Sequence, residues 1–367
     1  PGTYISIIGK DEASAFWKNV KKGVQQAEED LNKTLGYTGN DKVKVTYNAP
    51  TKKENIDEQV NILDEELARY PDVVGVASID ADACSVQFDL ATENGIPVIA
   101  LDSGNNYQGI QCTVKTDNAE AAKTGAYKLA DAMGRTGDIL LLVHDSKSET
   151  AKERTEAFCA EIEEKYPDVN VAEILYVDQF EELKKQIVEE QYAASNTSET
   201  ENTANAAAGS AGTEAAASTV ADAQNTSAEE TDAASGTVES DTAETQIPAE
   251  ELAAKSAELT DEDVILYYLE KYPNVKGMFG TNDMATQLGV SALAEKKAED
   301  TEKADKAENE QEDEILLMGF DAGKAQLDAL KNGEISGLVV QNPFGIGYAS
   351  VIAAARTVLQ AGNEAEV

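Results

Sequence analysis

Residues 315–348 read ILLMGFDAGKAQLDALKNGEISGLVVQNPFGIGY, and their pattern decides the fold class. Two short apolar runs, ILLM and GLVV, each break off at polar residues: Gly319, Phe320 and Asp321 after the first, Gln341 and Asn342 before Pro343 after the second. Strand, helix, strand is the repeating unit of a parallel sheet, and such sheets bind ligands at the carboxyl ends of their strands, where strand order reverses. Aromatic, carboxylate and amide groups at two strand ends suit a polar, ring-shaped ligand.

The same rhythm extends outward over the chain. TYISII precedes a helical pattern over 14–35, with Phe16, Val20, Val24, Ala27 and Leu31 on one stripe. VKVTY leads to a helix at 53–69, DVVGVA to one at 83–94, and PVIAL ends at Asp102, Ser103 and Gly104. A linking segment, 105–115, opens a second series: helix 117–133, DILLLVH, helix 149–165, VAEILYV, and a helix from Phe180 to about Tyr192. After an interruption come helix 260–272, VKGMF and helix 283–294. A Lys/Glu-rich excursion over 295–314 reads as a lengthened helix and loop, and the opening stretch and a helix at 344–359 complete the chain. Two βα series predict an α/β protein of two similar doubly wound parallel-sheet lobes joined by a hinge, with the ligand between them. The expected lobes are 1–115 with 343–367, and 116–342, hinged near Gly104–Asn118 and Gln341–Pro343.

Residues 193–250 break the pattern: they hold no Lys, Arg or aromatic residue, and only lone aliphatics among Ala, Ser, Thr, Asn and acids. Such a segment buries too little apolar area to offset its ordering entropy, so a disordered acidic insertion is expected. It also explains part of the formal net charge of -39 on 367 residues. That charge repels phosphates and anionic headgroups, which argues against nucleic-acid and peripheral membrane partners. No apolar run reaches the ~18 residues of a membrane span. No export signal precedes the first strand at Tyr4, which fits a cytosolic protein or an already mature segment. Cys84, Cys112 and Cys159 are scattered, arguing against a disulfide framework or zinc site and for small buried hydrophobes.

Several residues stand where a ligand is expected. Phe16 and Trp17 open the first helix; an exposed aromatic face there suits the C–H face of a sugar, the alternative being packing on strand one, more so for Phe16. Asp80 and Asp102 follow apolar runs, and a carboxylate accepts two hydroxyl hydrogen bonds strongly. For Asp80 a local turn is the stronger reading. Arg154 lies one turn into its helix, beside the apolar stripe, where a cation opposes the helix dipole. Asp117 with Glu120 reads as a capping box; Asn282 serves capping or ligand equally, and Asp321 either caps the helix through Leu330 or meets the ligand. His144 is the only histidine, which excludes HExxH, and neither GxSxG nor GxxxxGK[ST] occurs. FGIGYA follows a proline and opens the last helix, so its glycines read as close helix packing rather than a dinucleotide fingerprint. No catalytic constellation, cofactor or metal is expected.

ASAFWKNVKKGVQQAEED, GIPVIALDSG, KTDNAEAAKTG, AKERTEAF, GTNDMATQLGV, GFDAG and VVQNPFGIGY occur in the order found in periplasmic-type sugar-binding proteins of ABC transporters. The chain resembles their ribose/galactose/xylose group, of the type I periplasmic binding protein fold, outside 193–250 and 295–314. The resemblance implies that Phe16 and Trp17 stack on a sugar while Asp102, Arg154, Asn282, Asp321 and Gln341 bind its hydroxyls and ring oxygen. It implies no enzyme but a monomeric receptor that delivers a monosaccharide to an ABC permease or membrane sensor. The implied location is extracytoplasmic, in the periplasm or at the cell surface, with a lipid anchor as one form. A sugar-sensing effector domain, of a LacI-like regulator or of a receptor coupled to a sensor kinase, is the alternative. Ser103 stands where ribose binders resemble one another in an arginine, which points away from ribose. The strand that ends the family by returning to the second lobe has no counterpart before Val367.

Overall fold

The computed structural model of the chain describes residues 2–208, 246–304 and 314–359. The first series comprises β1 (Tyr4–Ile8), α1 (Ala15–Leu35), β2 (Lys44–Asn48), α2 (Ile56–Leu67), β3 (Val73–Val76), α3 (Ser85–Glu93), β4 (Val98–Leu101) and β5 (Ile110–Val114). The second begins α4 (Asn118–Ala132), β6 (Gly137–Val143), α5 (Glu149–Lys165), β7 (Val169–Tyr176), α6 (Phe180–Ala208) and α7 (Ala249–Glu258). It continues with α8 (Asp261–Lys271), β8 (Val275–Gly280), α9 (Asp283–Ala304), β9 (Leu316–Phe320), α10 (Lys324–Asn332), β10 (Gly337–Val339) and α11 (Pro343–Leu359).

These strands form two sheets, β2-β1-β3-β4-β5 and β7-β6-β8-β9-β10, in which every pairing is parallel. The second order repeats the first strand for strand, so the expected fold class of two similar doubly wound lobes holds. β1, β3 and β4 are apolar and buried on both faces, as are most residues of β6 and β8, because helices cover each sheet. α1 starts at Ser14, whose hydroxyl accepts from Trp17 N, and ends at Gly36, which takes the left-handed φ of 68°. Its Val20, Val24 and Ala27 are buried, each such valine contributing about 1.5–3 kcal/mol. α11 packs on α1, β3, β4 and β5, so the chain returns to the first lobe after β10. Gly347 permits that return: a Cβ there would lie 2.1 Å from the Val20 carbonyl oxygen, so the helix-packing reading of FGIGYA holds.

Three expectations need correction. The linking segment 105–115 contains β5, the outer strand of the first sheet; Gln111, Cys112 and Thr113 are exposed, and a solvated edge strand carries no apolar run to betray it. Cys112 is thus exposed rather than a buried hydrophobe, while Cys84 is buried. The helix from Phe180 continues to Ala208, and α7 begins at Ala249, so neither end of 193–250 is irregular. Alanine and glutamate favour helix once a turn exists to extend, which the criterion of buried area ignores. The remainder of the expected disordered insertion, 209–245, lies outside the described residues, as does 305–313 of the second excursion; the expected lengthening of α9 reaches Ala304.

By compactness the chain divides into Pro1–Phe180 with Asp261–Val367, and Glu181–Thr260. The first unit carries both sheets. In the second, Lys255 lies over the Tyr192 ring, 5.9 Å from its centroid, and pairs with Glu251 at 2.9 Å.

Candidate ligand-binding site

The carboxyl ends of the two sheets face one cavity of about 70 Å³, lined by Lys10, Phe16, Glu54, Asp102, Arg154 and Gln341 among others. At about 10–15 Å³ per water this is room for roughly five to seven waters. Segments that follow β1, β2, β4, β6, β8, β9 and β10 contribute, because strand order reverses beside β1 and β6 and leaves crevices there. The loops of the two lobes touch: Ala81 N donates to the Lys147 carbonyl at 3.2 Å.

β4 and β9 end alike. Asp102 and Asp321 both adopt left-handed backbone, φ 59° and 73°, and their N–H groups donate to Val114 O and Val339 O on the neighbouring edge strands, each at 2.8 Å. Non-glycine residues held there cost about 1–3 kcal/mol, a strain that gathers at functional sites. Asp102 lies 3.5 Å from Lys10. Asp321 Oδ1 accepts from Gln341 Nε2 at 2.5 Å and Oδ2 from Asp283 N at 3.1 Å. Burial pushes the Asp321 carboxyl up to about 6, against the pull of Arg154 and of the Gln341 hydrogen bond. The expected cap role for Asp321 is not realised: Gly323 with Gln326 caps α10.

Arg154 is buried. Its Nε donates to Asn118 Oδ1 at 2.9 Å and its Nη1 to the Thr281 carbonyl at 2.6 Å, while the guanidinium lies 4.3 Å from the Phe320 centroid. Phe320, counted above as a ligand aromatic, is fully buried and serves as the platform for Arg154. Asn282 caps the helix that follows it, accepting from Ala285 N at 2.8 Å, and lines the cavity. Gln341 joins the two segments that run between the lobes, since its Oε1 accepts from Thr116 Oγ1 at 2.8 Å.

Phe16 and Trp17 both line the cavity, edge to face with centroids 5.2 Å apart. Trp17, expected to be the more exposed, is buried in the core with Ile5, Ile7 and Val20, because α1 tilts its flank onto the sheet; Phe16 is half-buried. Asp80 is absent from the cavity lining. Its Oδ1 accepts from Asp82 N and Ala83 N, both at 2.8 Å, so it closes the local turn. Asp80→Ala therefore leaves affinity for a ligand of this cavity within twofold (a ~0.4 kcal/mol change) and costs about 1 kcal/mol of stability, as urea titration will read.

Sequence reasoning missed Lys10, Asp11, Lys53, Glu54 and Asp283, and missed His144 as a cavity residue. A signal for some of them was present. Asp11-Glu-Ala-Ser14 after β1 and Asp145-Ser-Lys-Ser148 after β6 repeat one motif: Asp11 Oδ1 accepts from Ala13 N and Ser14 N, Asp145 Oδ1 from Lys147 N and Ser148 N. Each serine then caps the following helix. His144 lies 2.7 Å from Thr281 Oγ1 through Nδ1 and 3.2 Å from Thr150 Oγ1 through Nε2, and burial keeps its imidazole well below the ordinary pKa. Among the described residues no group of His, Cys, Asp and Glu is arranged to hold a metal ion, and no helix is long and apolar enough to cross a membrane.

The family profile described as periplasmic binding protein domain matches residues 5–231 and 224–363. No curated protein matches the chain. Among solved structures, a carbohydrate transporter solute binding protein of Agrobacterium radiobacter in complex with D-arabinose is 20% identical, with TM-score 0.66 over 100% of this chain and 91% of that one. An ABC transporter solute binding protein of Agrobacterium vitis bound with alpha-D-tagatopyranose is 18% identical, with TM-score 0.65 over 97% and 89%. A glucose-galactose binding protein of Geobacillus stearothermophilus is 17% identical, with TM-score 0.63 over 100% and 94%. Identity at this level attests the shared fold.

Proposed function

We propose, from the premise that this chain belongs to the periplasmic binding protein family, that it is an extracytoplasmic receptor capturing a monosaccharide between its lobes for an ABC transporter. The observation that carries the reading is the facing pair Asp102 and Asp321, held in strained backbone at equivalent strand ends with Arg154 buried beside them. Carboxylates accept from vicinal hydroxyls, Arg154, Asn282 and Gln341 donate to oxygens, and Phe16 offers an apolar face. Such a site rejects an analogue lacking a matching hydroxyl, since its buried groups would be left unpaired. The lobes, 1–115 with 343–367 and 116–342, rotate about hinges near Gly104–Asn118 and Gln341–Pro343, and a permease reads the closed surface of the monomer. A lipid anchor is one way of holding such a receptor at the membrane.

Trp17 is the only tryptophan and lies at the cavity wall, so its emission reports occupancy. One of D-arabinose, D-tagatose, D-glucose and D-galactose is expected to change that emission and raise the melting temperature. At ~100 times its Kd the sugar stabilises by about 2.7 kcal/mol. If none of the four does either, the monosaccharide reading is lost.

A further inference from the structure

The loop between β2 and α2 brings Glu54 to the cavity wall in left-handed backbone, φ 58°. Nothing local requires that conformation: Asn55, not Glu54, caps α2, accepting from Glu58 N at 3.0 Å. Among the described residues Glu54 makes no hydrogen bond or ion pair, although two lysines are near. Lys10 is committed to Asp102 at 3.5 Å, and Lys53 faces Asp283 of the other lobe at 3.9 Å. From the second lobe the acids Asp145 after β6 and Asp178 after β7 face Glu54, while Arg154 and His144 of that lobe line the same cavity. Asp283 and Asp11 line the same cavity.

We propose that Glu54 is a proton-carrying member of the binding cleft, neutral when the lobes are shut and ionised when they part, so that sugar capture takes up a proton. This rests on the sugar-binding reading. The partition between the lobes supplies the coupling: Asp145 and Asp178 approach Glu54 only when the second lobe swings onto the first, which also removes water from the cleft. Opening withdraws both acids and restores water. In this structure, where the lobes touch and Glu54 is half-buried, desolvation pushes its carboxyl up to about 8, Asp145 and Asp178 adding to the rise and Lys10 and Lys53 opposing it. A neutral carboxyl also has an O–H to donate, which a carboxylate lacks, so protonation adds a hydrogen-bond donor to a cleft rich in acceptors.

The sign follows from the two states. A carboxyl whose pKa is higher in the closed form strengthens closure at low pH, and this contribution is lost as pH rises through about 8. Asp321, pushed up to about 6, is already ionised by then and adds little at pH 7.5.

The test is titration calorimetry at about pH 7.5, in buffers of differing ionisation enthalpy, with D-arabinose, D-tagatose, D-glucose and D-galactose. A sugar that binds is expected to bring an uptake of roughly 0.5–1 proton, and affinity to fall about 25-fold between about pH 6.5 and 8.5. Glu54→Gln should abolish both the uptake and the alkaline decline, and Asp178→Asn should move that decline to lower pH. Uptake unchanged in Glu54→Gln, or an affinity flat over this range, overturns the inference and leaves the receptor reading intact. If none of the four sugars binds, the receptor reading fails first and takes the inference with it.

Discussion

Replacing Arg154 with alanine lowers sugar affinity by at least ~100-fold, the largest single loss expected in this protein. The guanidinium is fixed on three sides, by Asn118 Oδ1, the Thr281 carbonyl and the Phe320 ring, so the proposed contact with a ligand oxygen needs no further ordering. Its removal leaves Asp102 and Asp321 without the buried cation that both face, and the Thr281 carbonyl without its donor. Truncating one member of a buried, hydrogen-bonded charge set costs about 2–5 kcal/mol, much of it the penalty on the partners left behind. Arg154→Lys is not a rescue, since an ammonium supplies neither the fork that spans Asn118 and Thr281 nor the flat face that covers Phe320. Calorimetry with the sugar that shifts Trp17 emission reads the loss, and retention of wild-type affinity in Arg154→Ala would remove Arg154 from the site.

Asp321→Asn separates binding from stability. Asparagine tolerates left-handed backbone, so φ 73° is kept while the charge is lost. Burial raises the Asp321 carboxyl to about 6, so its ionisation weighs against the folded state. Its neutral form stabilises the fold at low pH, and that contribution is lost as pH rises from about 4 through 6, roughly 2–3 kcal/mol in all. The variant should therefore melt higher than wild type at pH 7.5. Sugar binding runs the other way, because the ionised acid is the stronger acceptor: affinity at neutral pH falls ~10–100-fold. The wild-type decline in affinity below about pH 6 disappears in the variant. Thermal melts and titrations over about pH 5–8 check both halves. A variant less stable than wild type, with affinity unchanged, would mean that Asp321 serves the fold and not the ligand.

Much of this was legible before any coordinates. Arg154 showed because a cation near a helix start beside an apolar stripe has a local cost, and Asp102 and Asp321 because each directly follows an apolar strand. Asp80 fits the same description yet lies outside the cavity, since a strand end fixes where a residue begins and not where its carboxylate turns. Trp17 misleads for a related reason: its stripe position leaves open how far α1 leans on the sheet, and the core claims it. β5 escaped because an edge strand is stabilised on one side only and needs no apolar run.

The sequence by itself determined two βα series with polar strand ends, and hence the parallel sheets and the residue types offered to a ligand. These are local matters of period, capping and burial. Only the tertiary structure decided which strand ends meet. Lys10 and Glu54 against His144 and Asp145 is a pairing across the lobes, and Asp321 with Gln341 and Thr116 joins the site to the connecting segments. Such contacts depend on how the two sheets are set against each other. The physical reason lies in electrostatics and desolvation: the groups of one lobe acquire their final charge, burial and hydrogen bonds only from the other.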